Sequence, residues 1–234
     1  MTNTSTIRFQ FTKGSEVRFL SHLDVLRAFE RAVRRAGLPM AYSEGFSPRP
    51  IVSYSFPLPV GALSEAEYAD YRLVEDWDPA FFLEHFNRYL PPGFQVVQAE
   101  RLPEGSPALM SEINAALWKV TLPGVSPEDV EGRWQSLKAQ DSFVVERQTK
   151  RGNRQVNLRP LLFGLPRIAQ LEGAVEVHCL AAVGSEGNLR LEELGLLLGF
   201  NPAEAVITRL GQFKKVGSVY QAPLGNRGFT WTEQ

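Results

Sequence analysis

The sequence contains few residues that could form a disulfide or hold a metal. Cys179 is the only cysteine among 234 residues, which excludes an internal disulfide, a cysteine-based zinc site and a three-cysteine iron–sulfur cluster. The chain has three histidines, His22, His85 and His178, and no two of them have the close spacing of metal ligands. Glycine-rich motifs of the Walker or dinucleotide type are missing as well. We therefore expect a chain that binds no metal and no cofactor by itself.

The sequence also lacks the features of a membrane or secreted protein. No apolar run approaches the roughly 18 residues of a membrane span, and the start, Met-Thr-Asn-Thr-Ser-Thr, lacks the layout of a signal peptide. A hydrophobic content of 44% with 22% charged residues is that of a globular protein with a sizeable core. These features predict a cytoplasmic protein without membrane contact.

The net charge of −1 hides an uneven distribution along the chain. Residues 1–55 carry eight Lys and Arg against four Asp and Glu, whereas residues 56–115 carry three against ten. Because local patches attract a polyanion even when the total charge is near zero, the basic first segment is a candidate nucleic-acid surface.

The strongest local pattern predicts a helix over residues 21–36. Ser21 is a good N-cap, with Asp24 in the place that Glu or Gln takes in a capping box, and Gly37 followed by Pro39 ends the helix. One side of this helix is apolar and predicts packing on a sheet. The other side carries an arginine stripe, which consists of Arg27, Arg31, Arg34 and Arg35.

The arginine stripe has two interpretations. It could be a solvated helix face, with cations favoured near the helix C-terminus and Glu30 paired with Arg34. Four arginines without a lysine also suit phosphate binding, because the planar guanidinium presents a fork of donors. The second interpretation predicts an anion-binding face.

Two further basic segments predict contacts with RNA. In the loop of residues 45–50, Phe46 and Arg49 lie close in sequence to Tyr42 and Tyr54, and single-stranded RNA is bound by aromatic rings next to cations. Each ring could equally be a core residue. The second segment is a predicted hairpin, whose tip brings together Arg147, Lys150, Arg151 and Arg154.

Catalysis is the less favoured interpretation of the same region. His22 at a helix N-terminus, with Asp24 and Tyr42, could act as an acid or base on RNA. Surface histidines at this position are nevertheless common. Glu65, Glu67 and Asp70 are interpreted as a charged strand edge and not as a metal site, since Glu67 and Asp70 would face opposite sides of a strand.

The order of predicted elements indicates an α+β fold. Residues 1–102 give the order β-α-β-β-α-β, which is the ferredoxin-like order, and they include the arginine-rich helix. Residues 103–114 are a loose connection, 115–215 form a second ferredoxin-like half, and 216–234 are a glycine-rich tail. We expect two tandem ferredoxin-like halves, with antiparallel sheets and helices on one face.

Three segments carry a resemblance to a known family. They are Arg-Phe-Leu-Ser-His-Leu-Asp at 18–24, Arg-Arg-Ala-Gly-Leu-Pro at 34–39 and Tyr-Ser-Glu-Gly-Phe-Ser-Pro at 42–48, supported by Leu-Pro-Val-Gly at 58–61 and Val-Asn-Leu-Arg-Pro-Leu at 156–161. The chain resembles the radical SAM-linked protein family, a domain of unknown function that is fused to, or encoded beside, cobalamin-binding radical SAM proteins. The resemblance implies such a protein as a partner.

The chain departs from the family pattern at one position of the loop. The family often has Gly-Phe-Asn-Pro-His-Pro-Lys where this chain has Gly-Phe-Ser-Pro-Arg-Pro-Ile, so Arg49 replaces a histidine. Arginine serves for phosphate contact but not as a base, which favours binding over catalysis. The sequence thus predicts a non-catalytic module that binds structured tRNA or rRNA and acts with the radical SAM partner. An RNA-processing or RNA-modifying enzyme and a protein-interaction scaffold are the alternatives.

Overall fold

The chain alternates long strands with short helices. A computed structural model describes residues 4–149, 152–185, 187–225 and 227–232. The strands in this part of the chain are β1 (Ser5–Lys13), β2 (Val52–Tyr54), β3 (Leu63–Leu73), β4 (Phe94–Leu102), β5 (Ala115–Pro123), β6 (Val144–Thr149), β7 (Gly152–Asn157), β8 (Leu162–Leu171), β9 (Ala174–Ala182), β10 (Val206–Val216), β11 (Val219–Gln221) and β12 (Gly228–Thr230). The α-helices are α1 (His22–Ala36), α2 (Pro79–Asn87), α3 (Leu109–Glu112), α4 (Pro127–Lys138) and α5 (Leu191–Leu198).

The first strands form an antiparallel unit covered by α1 and α2. β1 pairs with β3 on one side and with β4 on the other, so that Phe9 lies between Ala69 and Ala99. The alternation of β1 directs Ile7, Phe9 and Phe11 into a core shared with both helices. Aromatic rings fill much of it, which fixes α1 firmly on the sheet. Residues of this core on the two helices are Val25, Ala28, Phe29, Ala32, Val33, Ala36, Phe82 and Phe86.

The prediction of two tandem ferredoxin-like halves is wrong. One ten-stranded sheet contains strands of both halves, and its main path has the order β4-β1-β3-β10-β5-β9-β8. β10 lies between β3 and β5, parallel to β3 and antiparallel to β5. The sheet is therefore mixed and continuous, and the element order did not reveal where β10 would insert.

The region after β5 also differs from a ferredoxin-like half. β6 and β7 form the predicted hairpin, but it is a separate two-stranded sheet. β8, which the sequence pattern did not predict, is the edge strand beside β9. Its register shifts on both sides of Gly164, and an edge strand tolerates such irregularity. The glycine and the proline in this segment interrupt the alternating pattern, which is why the sequence did not predict the strand.

The segment after β10 is more regular than its composition suggests. β11 pairs with β10, and β12 pairs with β11, so the predicted glycine-rich tail forms a short antiparallel extension of the sheet. The predicted division of the chain into residues 1–102, 103–114, 115–215 and 216–234 stays a prediction. In the part of the chain that is described, no helix has the length and apolar character needed to cross a membrane.

Candidate functional site

The first wall of the candidate site is α1, which is positioned by its caps. The Ser21 Oγ accepts a hydrogen bond from the Asp24 backbone N–H at 3.3 Å, and the Asp24 carboxylate accepts one from the Ser21 N–H, as the capping box predicted. The Ser21 hydroxyl also donates to the Asp24 carboxylate at 2.6 Å, and this bond, together with the one from the Ser21 N–H, lowers the pKa of Asp24. Gly37 ends the helix in the left-handed conformation at φ 62°. The predicted start and end of the helix are confirmed.

A groove lies between α1 and the segment from Met40 to Pro57. Its volume is about 750 Å³, and its lining is mostly apolar with a few polar groups, which is the usual composition of a ligand site. The α1 wall is formed by His22, Leu26, Glu30, Val33 and Arg34, and the facing wall by Met40, Tyr42, Pro48, Arg49, Pro50, Val52, Ser53, Tyr54, Ser55 and Pro57, with Tyr71 and Met110.

The loop of residues 43–49 projects beside the groove and is closed at its base. The Ser43 N–H donates to the Arg49 carbonyl at 2.9 Å, and the Arg49 N–H donates to the Ser43 hydroxyl at 3.1 Å. Gly45 has φ 119°, a conformation that favours glycine in this turn. Phe46 is fully exposed at the tip. The loop therefore presents an unburied aromatic ring, but Phe46 is not among the residues that line the groove.

His22 and Tyr54 form the inner end of the groove. Their rings meet edge to face with centroids 6.2 Å apart, and the Tyr54 and Tyr71 hydroxyls are 2.7 Å apart. Burial lowers the pKa of His22, which keeps the ring neutral at pH 7. Burial also raises the pKa of Tyr54 well above its ordinary value, so its hydroxyl stays protonated. This end of the groove offers neutral hydrogen-bonding groups and ring faces.

The arginine stripe is exposed, but its members have different surroundings. Arg34 lines the groove and pairs with Glu30 at 2.5 Å. Arg27 is 3.5 Å from the carboxylate of Asp24. Arg35 donates to the carbonyl of Tyr89, two residues after the end of α2, at 2.6 Å, and Arg31 is exposed. Of the four, the groove includes Arg34 alone, and it adds Arg49 from the facing wall.

The basic hairpin is not part of the groove lining. Lys150 and Arg151 lie outside the described residues, so their predicted role stays a prediction. Arg154 is exposed and lies opposite Arg147, which binds both carboxylate oxygens of Glu193 on α5 at 2.7 and 2.6 Å. Arg147 thus anchors the hairpin to α5.

Three residues are candidates for the less favoured catalytic interpretation, and the structure brings two of them to the groove. His22 and Tyr42 line it, whereas Asp24 does not. The Asp24 carboxylate is bound to its own helix cap, with the Ser21 hydroxyl at 2.6 Å. His22 and Asp24 therefore face different surroundings, although they are neighbours in sequence.

Sequence reasoning missed the buried charges beneath the groove and was wrong about the acidic strand edge. β3 is an internal strand, and the Glu67 side chain on it is buried against Lys13 and Arg209. Asp70 pairs with the buried Arg8, and Glu65 alone of the three acidic residues is exposed. One signal in the sequence could have indicated that Glu67 is buried: it lies between apolar neighbours in a long strand of alternating residues. Within the described ranges, no three His, Cys, Asp or Glu side chains converge as metal ligands do.

Comparison with known proteins places the chain in a family. Residues 6–191 match the family described as an uncharacterized protein conserved in bacteria, DUF2344. Since the match covers most of the chain, the protein belongs to this family. The search of curated proteins gave no significant match. The matched region includes α1, the loop of residues 43–49 and β3, and hence the whole groove.

Proposed function

We propose that the protein is a non-catalytic RNA-binding module whose groove holds an unstacked base of a structured tRNA or rRNA. The observation that carries the proposal is the convergence of Tyr42, Tyr54, Arg34 and Arg49 on one mostly apolar groove. Single-stranded and looped RNA is bound by aromatic rings that stack on bases and by cations that contact phosphates. The groove is also large enough for a base and its ribose.

The two arginines of the groove have the geometry to contact the RNA backbone from both walls. Arg34 stands on α1 and Arg49 at the base of the facing loop, and the side chains of both are exposed. Arg27 and Arg31 continue the cationic surface along the outer side of α1. A strand that leaves the groove over α1 would keep its phosphates next to these cations, and each phosphate contact adds salt-dependent affinity.

The surroundings of His22 favour binding over the alternative of an RNA-modifying enzyme. A general base needs a hydrogen-bond partner that orients it, and Asp24 is engaged in the helix cap. Arg49 stands where the radical SAM-linked family, which this chain resembles, often has a histidine, and arginine does not act as a base at neutral pH. Both points support a groove that binds RNA without cutting or modifying it.

The partner in this proposal is a cobalamin-binding radical SAM protein, and the basis for it is the resemblance in sequence. The three segments that carry the resemblance contribute His22, Arg34, Tyr42 and Pro48 to the groove lining. A module that presents RNA to such a partner would hold the RNA here, while the partner supplies cluster and cobalamin. A cytoplasmic location, where tRNA and rRNA are found, belongs to the same proposal.

A protein-interaction scaffold is the second candidate, and one observation favours it. The segments that supply His22 and Tyr42 to the groove also carry exposed apolar side chains, and exposed apolar patches often mark protein contacts. Phe46 is fully exposed, and Phe19 and Leu23 are 74% and 61% exposed at the start of α1. The partner and the RNA could use neighbouring parts of this surface.

An RNA-binding measurement distinguishes the two candidates. We expect the Arg34→Ala/Arg49→Ala double variant to bind single-stranded RNA more weakly than wild type, with the slope of log K against log salt reduced by about 0.7 for each lost contact. Fluorescence anisotropy with a random-sequence RNA pool across a salt series measures both quantities. The matched control is Arg88→Ala, because Arg88, directly after α2, is similarly exposed and forms a salt bridge with Glu84.

Two results would contradict the RNA-binding proposal. One is wild-type protein that binds no RNA at low salt. The other is a groove variant with the affinity and salt slope of the Arg88→Ala control. If, in either case, Phe46→Ser reduced binding to the purified radical SAM partner, the scaffold would become the better proposal.

A further inference from the structure

Three charged side chains are buried where β10 joins β3. Lys13, Glu67 and Arg209 are 3%, 6% and 1% exposed. They come from β1, β3 and β10, and the pairing of these strands brings them together, since Ser64 of β3 lies opposite both Lys13 and Arg209. Ionised groups are rarely buried to this extent unless they are paired or bind an ion.

The cluster carries an excess positive charge. Glu67 is the carboxylate that acts on both cations, and it lies 3.3 Å from the Arg209 guanidinium. Its Oε1 also accepts a hydrogen bond from the Ser64 hydroxyl at 2.6 Å. Burial lowers the pKa of Lys13 and of Arg209, whereas it raises the pKa of Glu67. Two cations therefore share one buried carboxylate.

Several donors of the cluster have no acceptor within the described part of the chain. The Lys13 ammonium donates to the carbonyls of Arg18 and Leu20 at 2.9 and 3.2 Å, which leaves its third N–H without an acceptor. Arg209 donates one hydrogen bond, to the Phe56 carbonyl at 3.0 Å, while its Nε and Nη2 have no hydrogen-bond partner. An unsatisfied buried donor raises the free energy of the folded protein. A bound anion would supply the missing acceptor and balance the positive charge.

A small chamber lies against this cluster. Lys13 and Glu67 line it, together with His22, Tyr54 and Ser55. Its free volume of about 20 Å³ is somewhat more than the roughly 10–15 Å³ that one water molecule needs, which leaves room for one small ion or one ligand atom. His22, Tyr54, Ser55 and Pro57 line both the chamber and the groove, so the chamber adjoins the inner end of the groove.

We propose that the chamber is an anion site, occupied by a halide ion or by one oxygen of a carboxylate or phosphate whose remainder lies in the groove. The Lys13 ammonium supplies the unused N–H, and Arg209 behind Glu67 adds positive potential. An anion would neutralise the excess charge that Glu67 alone leaves. The inference depends on the buried charges and not on the proposed RNA binding, and either can fail without the other.

The experiment locates bromide directly and measures its effect on stability. Crystals of the full chain are soaked in bromide, and anomalous scattering shows whether an ion lies within contact of Lys13 Nζ. In solution, the thermal unfolding midpoint is compared in bromide, acetate, phosphate and gluconate at equal ionic strength, with gluconate as the anion too large to enter. We expect a bromide peak in the chamber and a midpoint raised by about 2 °C or more over gluconate.

Two variants test the charge argument in opposite directions. Lys13→Met removes the ammonium while keeping a chain of similar length, and the bromide peak and the shift in midpoint should disappear. Glu67→Gln removes the carboxylate but keeps an oxygen for Ser64, and bromide should bind several-fold more tightly. If Lys13→Met fails to fold, Glu67→Gln still decides, because unchanged or weaker bromide binding in it would contradict the anion site.

The anion series separates the two sources of the anion. A higher unfolding midpoint in bromide indicates that a free ion occupies the chamber. A higher midpoint in acetate or phosphate, but not in bromide, indicates that the chamber takes the anionic group of a larger ligand. Absence of a bromide peak, together with equal midpoints in all four anions, would overturn the proposal.

Discussion

Two buried arginines of the same sheet have very different surroundings. Arg8 on β1 uses all five of its N–H groups. They bind both oxygens of Asp70 at 2.8 and 3.0 Å, the Glu112 carboxylate at 3.0 Å, and the carbonyls of Pro107 and Pro223 at 2.9 and 3.2 Å. Arg209 on β10 is equally buried, yet it has one carbonyl acceptor and a carboxylate that it shares with Lys13.

The difference separates a structural arginine from one at a candidate site. Arg8 connects β1 to β3, to the segment before β5 and to the segment after β11, so its bonds hold distant parts of the chain together. Arg209 stacks over the Trp118 ring at 5.0 Å, and its Nε and Nη2 have no hydrogen-bond partner within the described residues, although Nε lies 3.3 Å from Glu67. A fully hydrogen-bonded buried charge is explained by a role in folding, while one with unused donors calls for a further explanation, such as a bound ion.

The largest expected effect is that of Arg8→Met on stability. The substitution leaves Asp70, Glu112 and two carbonyls without their donor, and removing one partner of a buried ion pair costs about 3–5 kcal/mol. Urea unfolding followed by circular dichroism measures the loss, with Arg88→Met as the exposed control. A loss below about 1 kcal/mol would show that water replaces the guanidinium and would remove the contrast between the two arginines.

Arg209→Met should cost less, about 1–2 kcal/mol, because fewer of its hydrogen bonds are lost. The sharper comparison is the Lys13→Met/Glu67→Leu/Arg209→Met triple variant, which removes all three charges of the cluster. Replacing a buried ionic group of this kind by apolar residues is often neutral or stabilising, so the triple variant should be at least as stable as Arg209→Met. The same urea titration tests this order. A triple variant that is clearly less stable than Arg209→Met would mean that the cluster is a well-satisfied network.

The smallest expected effect concerns the pH dependence of stability at His22. Burial lowers the pKa of His22 below its ordinary value of 6.5, so the unfolded chain binds a proton that the folded protein does not. Stability therefore falls as the pH drops below that value, and is unaffected by this group at higher pH. Relative to wild type, His22→Gln should gain stability between pH 7.5 and 5.5. Parallel curves for the two proteins would show that the fold does not shift the pKa of His22, which would contradict the burial of its ring at the groove.

Local patterns predicted the parts of the site that depend on neighbouring residues in the chain. The capping box of Ser21 and Asp24 and the end of α1 at Gly37 were both readable from the sequence. Tyr42, Arg34 and Arg49 were also named in advance, and the structure places all three on the groove. The cap predictions succeeded because helix caps are set within one or two turns of chain. The roles given to Arg34, Tyr42 and Arg49 stay predictions.

Long-range pairing explains the errors. The insertion of β10 between β3 and β5 turned two expected halves into one mixed sheet, and it converted Glu67 from an expected edge residue to a buried one. β8 was missed because Gly164 and the irregular register around it hide the alternation of an edge strand. No local pattern specifies which strand lies beside which.

The sequence by itself determined the absence of a cysteine-based metal site, the capped helix with its arginines, and the aromatic loop that follows. Only the tertiary structure decided that α1 and this loop form two walls of one groove, and that Lys13, Glu67 and Arg209 meet beneath it. The physical reason is distance along the chain: helix caps follow from adjacent residues, whereas a buried charge cluster exists only after strands far apart in sequence have paired.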